Sequence, residues 1–292
     1  MNIPVFYTPK MVAQFEDFSP SAGKPVQVVD SWKKLNIPIE ILEPTPATAE
    51  EISLAHDPAY VQDILECRKQ NGFHNMLRIV AESLPYTVGS MICAAREAIH
   101  NEKLAVAPCS GFHHASYKHN AGFCTFNGLI IAARVMLNEG IAQKVGIVDF
   151  DMHYGDGTDQ IISELNLKSS IEHYTAGKKF YSMGQSEKFL HYIPNILSRM
   201  EGCDVILYQA GADPHLNDPF GGWLTTEQLS FRDRIVFLEA KRLGIPIAWN
   251  LAGGYQKDDD GGIRPVLEIH DNTMKECYEV FRLNTFDQKE TA

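Results

Sequence analysis

One short segment gathers most of the groups that could do chemistry. Asp149-Phe150-Asp151-Met152-His153-Tyr154-Gly155-Asp156-Gly157 carries three carboxylates and an imidazole directly after an apolar run. In extended backbone, residues i and i+2 point the same way, so Asp151 and His153 can grip one ion together. Asp213, in Gly211-Ala212-Asp213, is a candidate third ligand. Two carboxylates and one imidazole with a coordination position left open suit a catalytic Zn²⁺. Without a cation, desolvating Asp149, Asp151 and Asp156 near one another would be costly. The adjacent pair His113-His114 suggests proton transfer, and each imidazole then needs an acid to set its tautomer. Asp149 and Asp156 are the carboxylates left over once the ligands are assigned. Tyr255 follows Gly253-Gly254. The glycines let backbone come close to a ligand, and a tyrosine hydroxyl there can donate to a developing oxyanion.

These groups need strands to hold them. Short apolar runs rich in Val and Ile predict buried parallel strands at Ile3–Tyr7, Ile39–Leu42, Leu104–Ala107, Val145–Phe150, Asp204–Gln209 and Ile245–Leu251. Helices are expected over Pro58–Lys69, with Asp57 as cap, and over Val88–His100, Gly128–Leu137 and Thr226–Arg242. Such alternation predicts a doubly wound α/β domain. In open parallel sheets, ligands bind beyond the carboxyl ends of the strands. The clusters at Ser110–His114, Asp149–Gly157, Ala210–Asp213 and Ala252–Tyr255 all fall at such ends.

Taken in order, Phe112-His113-His114-Ala115, Gly122-Phe123-Cys124, the Asp149–Gly157 block, Gly211-Ala212-Asp213 and Gly253-Gly254-Tyr255 resemble the motifs of the histone deacetylase superfamily, which includes acetylpolyamine amidohydrolases. The resemblance spans roughly residues 55 to 255. It implies an arginase/deacetylase-like three-layer α/β fold, with a central, mostly parallel sheet of about eight strands flanked by helices, as a single catalytic domain over 1–292. It further implies one Zn²⁺ per chain on Asp151, His153 and Asp213. His114 would be the general base and then the acid toward the leaving amine, with His113 as its electrostatic partner. Asp149 and Asp156 would orient His113 and His114, and Tyr255 would polarise the amide carbonyl. Gly122 and Phe123 would line the acyl-amine tunnel, with Phe180 or Tyr181 opposite, and K⁺ is a further expectation near Asp149 and Asp151. With two anionic ligands nearly neutralising the ion, a base is needed beside the metal.

The chain departs from that family in four places. Phe15-Glu16-Asp17-Phe18-Ser19-Pro20 stands where many members have an HPE-type segment and a channel arginine, so the resemblance does not extend to an acetate exit route. A frequent Ser-x-His is matched by Ile171-Glu172-His173, and a Tyr-Pro-Gly-Thr-Gly rim by Tyr181-Ser182-Met183-Gly184. The aspartate that positions substrate backbone falls at Pro58, one place after Asp57, which argues against peptide specificity.

The expected substrate is therefore an acylated primary amine: acetyl-lysine, or a small acetylpolyamine-type molecule. An arginase-type ureohydrolase would need a second metal and further carboxylates, but Asp213-Pro214-His215 lacks the Asp-x-Asp it requires. An inactive binding module is disfavoured because every expected catalytic position is filled. There is no Gly-x-Ser-x-Gly and no phosphate-binding Gly-x-x-x-x-Gly-Lys-Ser/Thr. With 26 Lys and Arg against 37 Asp and Glu the net charge is −11, which argues against a nucleic-acid partner. No run approaches the ~18 apolar residues of a membrane span. No secretory leader is read at the start, and the tail from Asp287 is expected to fray. Six cysteines without CxxC spacing read as reduced thiols of a cytoplasmic protein. His56, His74, His100, His191 and His270 are read as surface or capping residues.

Overall fold

The computed structural model describes residues 2–283, so the tail from Asp287 lies outside it. In chain order the elements are β1 (Ile3–Phe6), α1 (Lys24–Trp32), β2 (Ile39–Leu42), α2 (Ala49–Ile52), α3 (Pro58–Leu65), α4 (Arg78–Asn101), β3 (Leu104–Ala107), α5 (Gly128–Asn138), β4 (Val145–Asp149), α6 (Asp156–Glu164), β5 (Ile171–Thr175), α7 (Ser186–Ser198), β6 (Val205–Gly211), α8 (Thr226–Leu243), β7 (Ile247–Ala252) and α9 (Arg264–Arg282). The strands form one open sheet in the order β2-β1-β3-β7-β6-β4-β5, with seven strands where about eight were expected. Every pairing is parallel.

The sequence of each central strand explains its place. Every residue of Leu-Ala-Val-Ala in β3, Val-Gly-Ile-Val-Asp in β4, Val-Ile-Leu-Tyr-Gln-Ala-Gly in β6 and Ile-Ala-Trp-Asn-Leu-Ala in β7 is buried. A parallel strand covered by helices on both faces has no solvent side, so continuous apolar runs are what it requires. The helices pack in two groups: α4 on α5, which meets α6, and α8 on α7 and α9, which meets α1. The second group seals the sheet with aromatic side chains, Trp32 packing edge-on to Trp249 at 5.5 Å and Phe150 to Phe189 at 5.0 Å.

Local chemistry fixes several boundaries. Thr225 and Gln228 form a reciprocal capping box that starts α8, and Gly244 ends it in the left-handed region at φ +68°. Three expectations are corrected. β5 was not foreseen, because Glu172 and His173 interrupt the apolar run of an edge strand. α4 begins at Arg78 rather than Val88 and carries Pro85 inside it; the Pro85 carbonyl accepts a bond from the Ala47 amide. α3 stops at Leu65 rather than Lys69, where Cys67 turns to φ +58°.

Candidate active site

The sheet order brings the candidate residues together. The polar clusters follow β3, β7, β6 and β4, and these are four consecutive strands at the centre of the sheet. Their carboxyl ends therefore open onto one pocket floor.

Asp149 closes β4 in register with Gln209 of β6 and Thr175 of β5. Asp151 and His153 follow in the turn after β4, and Asp213 lies just past β6. One donor atom from each of the three lies within 4.8 Å of the others. His153 Nδ1 is 3.0 Å from Asp151 Oδ1 and 2.9 Å from Asp213 Oδ2. Both carboxylates are buried, at 3% and 0% exposure. Burial and the neighbouring Asp151 charge drive the Asp213 carboxyl upward from its ordinary value. Hydrogen bonds to Asp151 and Asp213 push His153 up to about 11. Two buried carboxylates thus converge on one point beside a ring nitrogen. That donor set fits a divalent ion.

Close approach here depends on glycine. A Cβ on Gly253 would lie 2.3 Å from Asp213 Cγ, and one on Gly211 would lie 2.6 Å from Asp151 Cα. Gly253 and Gly254 also take φ of +50° and +86°, which side-chain-bearing residues rarely adopt.

The two histidines leave β3 on a loop anchored by its neighbours. The Thr158 amide donates to the His113 carbonyl at 3.0 Å, tying this loop to the first turn of α6. That same turn carries Asp156. His113 Nδ1 is 2.8 Å from Asp149 Oδ2, and His114 Nδ1 is 2.7 Å from Asp156 Oδ1. Their ring centroids are 4.1 Å apart, and His114 lies 5.8 Å from the His153 ring. Bonding each Nδ1–H to a carboxylate leaves Nε2 as the exchanging nitrogen. Burial opposes a charge on His113, but Asp151, Asp149 and Asp213 outweigh it and raise the ring to about 9. His114 goes the other way, lowered by burial and by the His113 charge. A neutral imidazole beside a cationic one is the arrangement that general-base work requires.

Tyr255 sits at the pocket entrance with 9% exposure. Burial, with Asp151 and Asp213 nearby, holds its phenol well above the ordinary value, so it stays protonated and able to donate. Around it stand Phe220 at 4.8 Å, Phe123 at 5.7 Å and Phe18 at 6.0 Å. Phe123 takes φ +61°, and a Cβ on Gly122 would meet His114 Cδ2 at 2.5 Å.

Phe180 and Tyr181 do not form the opposite wall. Phe180 is buried 5.0 Å from Phe189 and 6.2 Å from Trp223, inside the core, while Tyr181 is 70% exposed. The rings that flank Tyr255 on that side are Phe220 and Phe18, both about half exposed. Phe18 lies in the Phe15–Pro20 segment where this chain departs from the family pattern, a signal that marked the place without revealing its use.

Other participants were missed. Asp218 is buried and accepts the Tyr255 amide on one oxygen at 2.8 Å and the Phe220 amide on the other at 3.1 Å, linking the phenol to its neighbouring wall. Lys24 is completely buried and donates to the Gly253 carbonyl. Burial lowers it to about 8 against the pull of Asp213, Asp151 and Asp218. His173, matched to the Ser-x-His of the family, bonds Asp159 at 2.8 Å instead. Asp57 is spent capping α3, accepting from Ala59 and Tyr60. His56 and His270, read as surface residues, are fully buried. His56 lies between the Ser116 carbonyl and the Asn127 amide, at 2.9 and 2.8 Å.

Comparison with known proteins matches the same region. Residues 24–190 fit the family model described as the histone deacetylase domain. An uncharacterized protein of Picosynechococcus is 30% identical over 244 residues, covering 76% of this chain and 80% of its own. Histone deacetylase 10, chloroplastic, of Oryza sativa subsp. japonica is 24% identical, covering 86% and 69%. Among solved structures, the HD domain of HDA15 aligns with TM-score 0.75 at 18% identity over 96% of this chain and 91% of its own. Acetylpolyamine aminohydrolase from Burkholderia pseudomallei aligns with TM-score 0.71 at 14% identity, over 94% and 98%.

Proposed function

Because this chain belongs to the histone deacetylase domain family, we propose that it hydrolyses the amide of an acylated primary amine around one divalent ion, Zn²⁺, held by Asp151, His153 and Asp213. It is a hydrolase acting on acetylated amines. The observation that carries the finer reading is the convergence of those three donor atoms within 4.8 Å, next to a His–Asp pair with a free Nε2. A bound ion would polarise the amide carbonyl and make water a better nucleophile.

The chain's own residues supply the rest. His114 Nε2 takes the proton from water as it attacks the amide carbon, and Asp156 on Nδ1 stabilises the imidazolium that forms. His114 then returns that proton to the leaving nitrogen, so the C–N bond breaks to a free amine. His113, bonded to Asp149, lies ring against ring with His114 as its electrostatic partner. The Tyr255 hydroxyl donates to the oxyanion as the carbonyl carbon becomes tetrahedral. Phe18, Phe123 and Phe220 enclose the slender alkyl arm of the amine and keep bulk water out. K⁺ beside Asp149 and Asp151 belongs to the same proposal. Asp149 is in register with both Thr175 and Gln209, and the Gln209 side-chain amide donates to Asp149 Oδ1 at 3.0 Å.

Within this reading a small acylated amine is favoured over a peptide. Pro58 stands at the position of the family's backbone-positioning aspartate, and the neighbouring acid, Asp57, has its Oδ1 committed to the start of α3. A panel of acetyl-lysine peptides, acetylpolyamines and longer acyl-lysines, each with and without chelator, tests it. Amine release that is lost with chelator and restored by Zn²⁺ is expected. Turnover indifferent to chelator, or none on any acylated amine with metal bound, overturns the reading.

A further inference from the structure

The β4–β6 ladder ends just below the metal-binding residues. Its last registered pair is Asp149 with Gln209, followed by one bond from the Phe150 amide to the Gln209 carbonyl. Asp151 and Asp213 lie beyond that point, on strand ends that no longer pair with each other. Gly211 brings these ends close, since any Cβ there would meet Asp151 Cα and the Phe150 carbonyl at 2.6 Å. The Phe150 and Gly211 carbonyls of these two ends share one donor.

That donor is Arg232 on α8. It is 0% exposed, and its Nη1 donates to the Gly211 carbonyl at 2.7 Å and to the Phe150 carbonyl at 3.2 Å. Phe150 is the residue before Asp151, and Gly211 is two before Asp213. The guanidinium is itself held from behind: its Nε bonds Asp233 Oδ1 at 2.8 Å. Asp233 is fixed in turn by the Tyr208 hydroxyl of β6 and by the Thr273 hydroxyl of α9, the latter at 2.6 Å. A planar, permanently charged fork can bridge two carbonyls while paired to a carboxylate. A lysine ammonium lacks that fixed geometry.

We propose that Arg232 is a positioning residue for the metal centre, setting the distance between Asp151 and Asp213 by clamping the two strand ends. The inference rests on the metal reading above. Outer groups that orient ligands typically affect metal affinity by about 10–100-fold.

The test measures Zn²⁺ and Co²⁺ dissociation constants of the full chain by competition with a chromophoric chelator, alongside the thermal midpoint of the metal-free protein. Arg232→Lys is expected to weaken Zn²⁺ binding at least tenfold. Tyr208→Phe, which loosens Asp233 but leaves the carbonyl bridge, is expected to lower the thermal midpoint and keep the wild-type constant within twofold. Should Arg232→Lys fail to fold, Asp233→Asn keeps the guanidinium but weakens its support, and a loss of threefold or more is expected. Wild-type affinity in a folded Arg232→Lys, or in Asp233→Asn when that stands in, overturns the clamp while leaving the metal reading intact. A tenfold loss in Tyr208→Phe as well overturns it too, since affinity would then follow stability alone. A wild type that binds neither ion fails the proposed function itself.

Discussion

Tyr255 and His114 divide the chemistry, and each can be isolated. Tyr255→Phe removes only the donor to the oxyanion and leaves the ring in its aromatic collar. A fall in kcat of about 10²–10³ is expected, with metal content unchanged; wild-type turnover in that variant would deny Tyr255 its role. His114 must be neutral to act as a base, and its pKa is lowered from 6.5 by burial and by the charge on His113. The acid limb of the kcat profile is therefore expected below pH 6.5. A limb centred above 7 would place the working base elsewhere. These residues were legible in the sequence because their types cluster in short segments, although Asp151 and His153 meet in a turn after β4, where the His153 amide donates to Asp151 Oδ1, and not through strand alternation. Phe220, Asp218 and Lys24 were not legible, since a phenylalanine, an aspartate and a buried lysine mean nothing until another segment lies against them. Phe180 was misplaced for the converse reason. Its type suits a tunnel wall, yet Phe189 and Trp223 claim it for the core.

At the level of elements, the turn after β7 is the most demanding piece of backbone. Gly253 combines φ +50° with a Cβ position 2.3 Å from Asp213 Cγ. Gly253→Ala is expected to displace the Asp213 carboxylate and cost at least tenfold in Zn²⁺ affinity, measured by chelator competition. Unchanged affinity would mean the turn yields instead of the ligand. Central strands could be read from the chain because burial on both faces demands unbroken apolar runs. The Leu104–Ala107 boundaries hold as read, and so do those of Ile39–Leu42, which is an edge strand and not the buried one expected. β5 escaped notice because an edge strand tolerates Glu172 and His173. The start of α4 was misread because a proline normally argues against a helix interior, yet α4 runs from Arg78 through Pro85.

For the molecule as a whole, a buried neutral histidine sets part of the acid sensitivity. Burial depresses His56 from 6.5 to about 4, and its ring donates to Ser116 and accepts from Asn127. The unfolded chain takes up a proton below pH 6.5 that the folded chain refuses until about pH 4. The His56 contribution to stability is therefore full above pH 6.5 and is lost as pH falls toward 4, by about 3 kcal/mol at most. Urea midpoints of wild type and His56→Gln are expected to differ most at pH 7 and to converge by pH 4.5; a constant difference would remove His56 as the cause. The sequence alone determined the parallel α/β plan, the family resemblance and the candidate ligands and proton carriers, because strand burial and i, i+2 alternation are consequences of short stretches of chain. Only the tertiary structure decided which loops wall the entrance, which buried cation offsets the carboxylates and what clamps the two strand ends. Those are contacts between residues far apart in sequence, and their energetics depend on burial that no single segment possesses by itself.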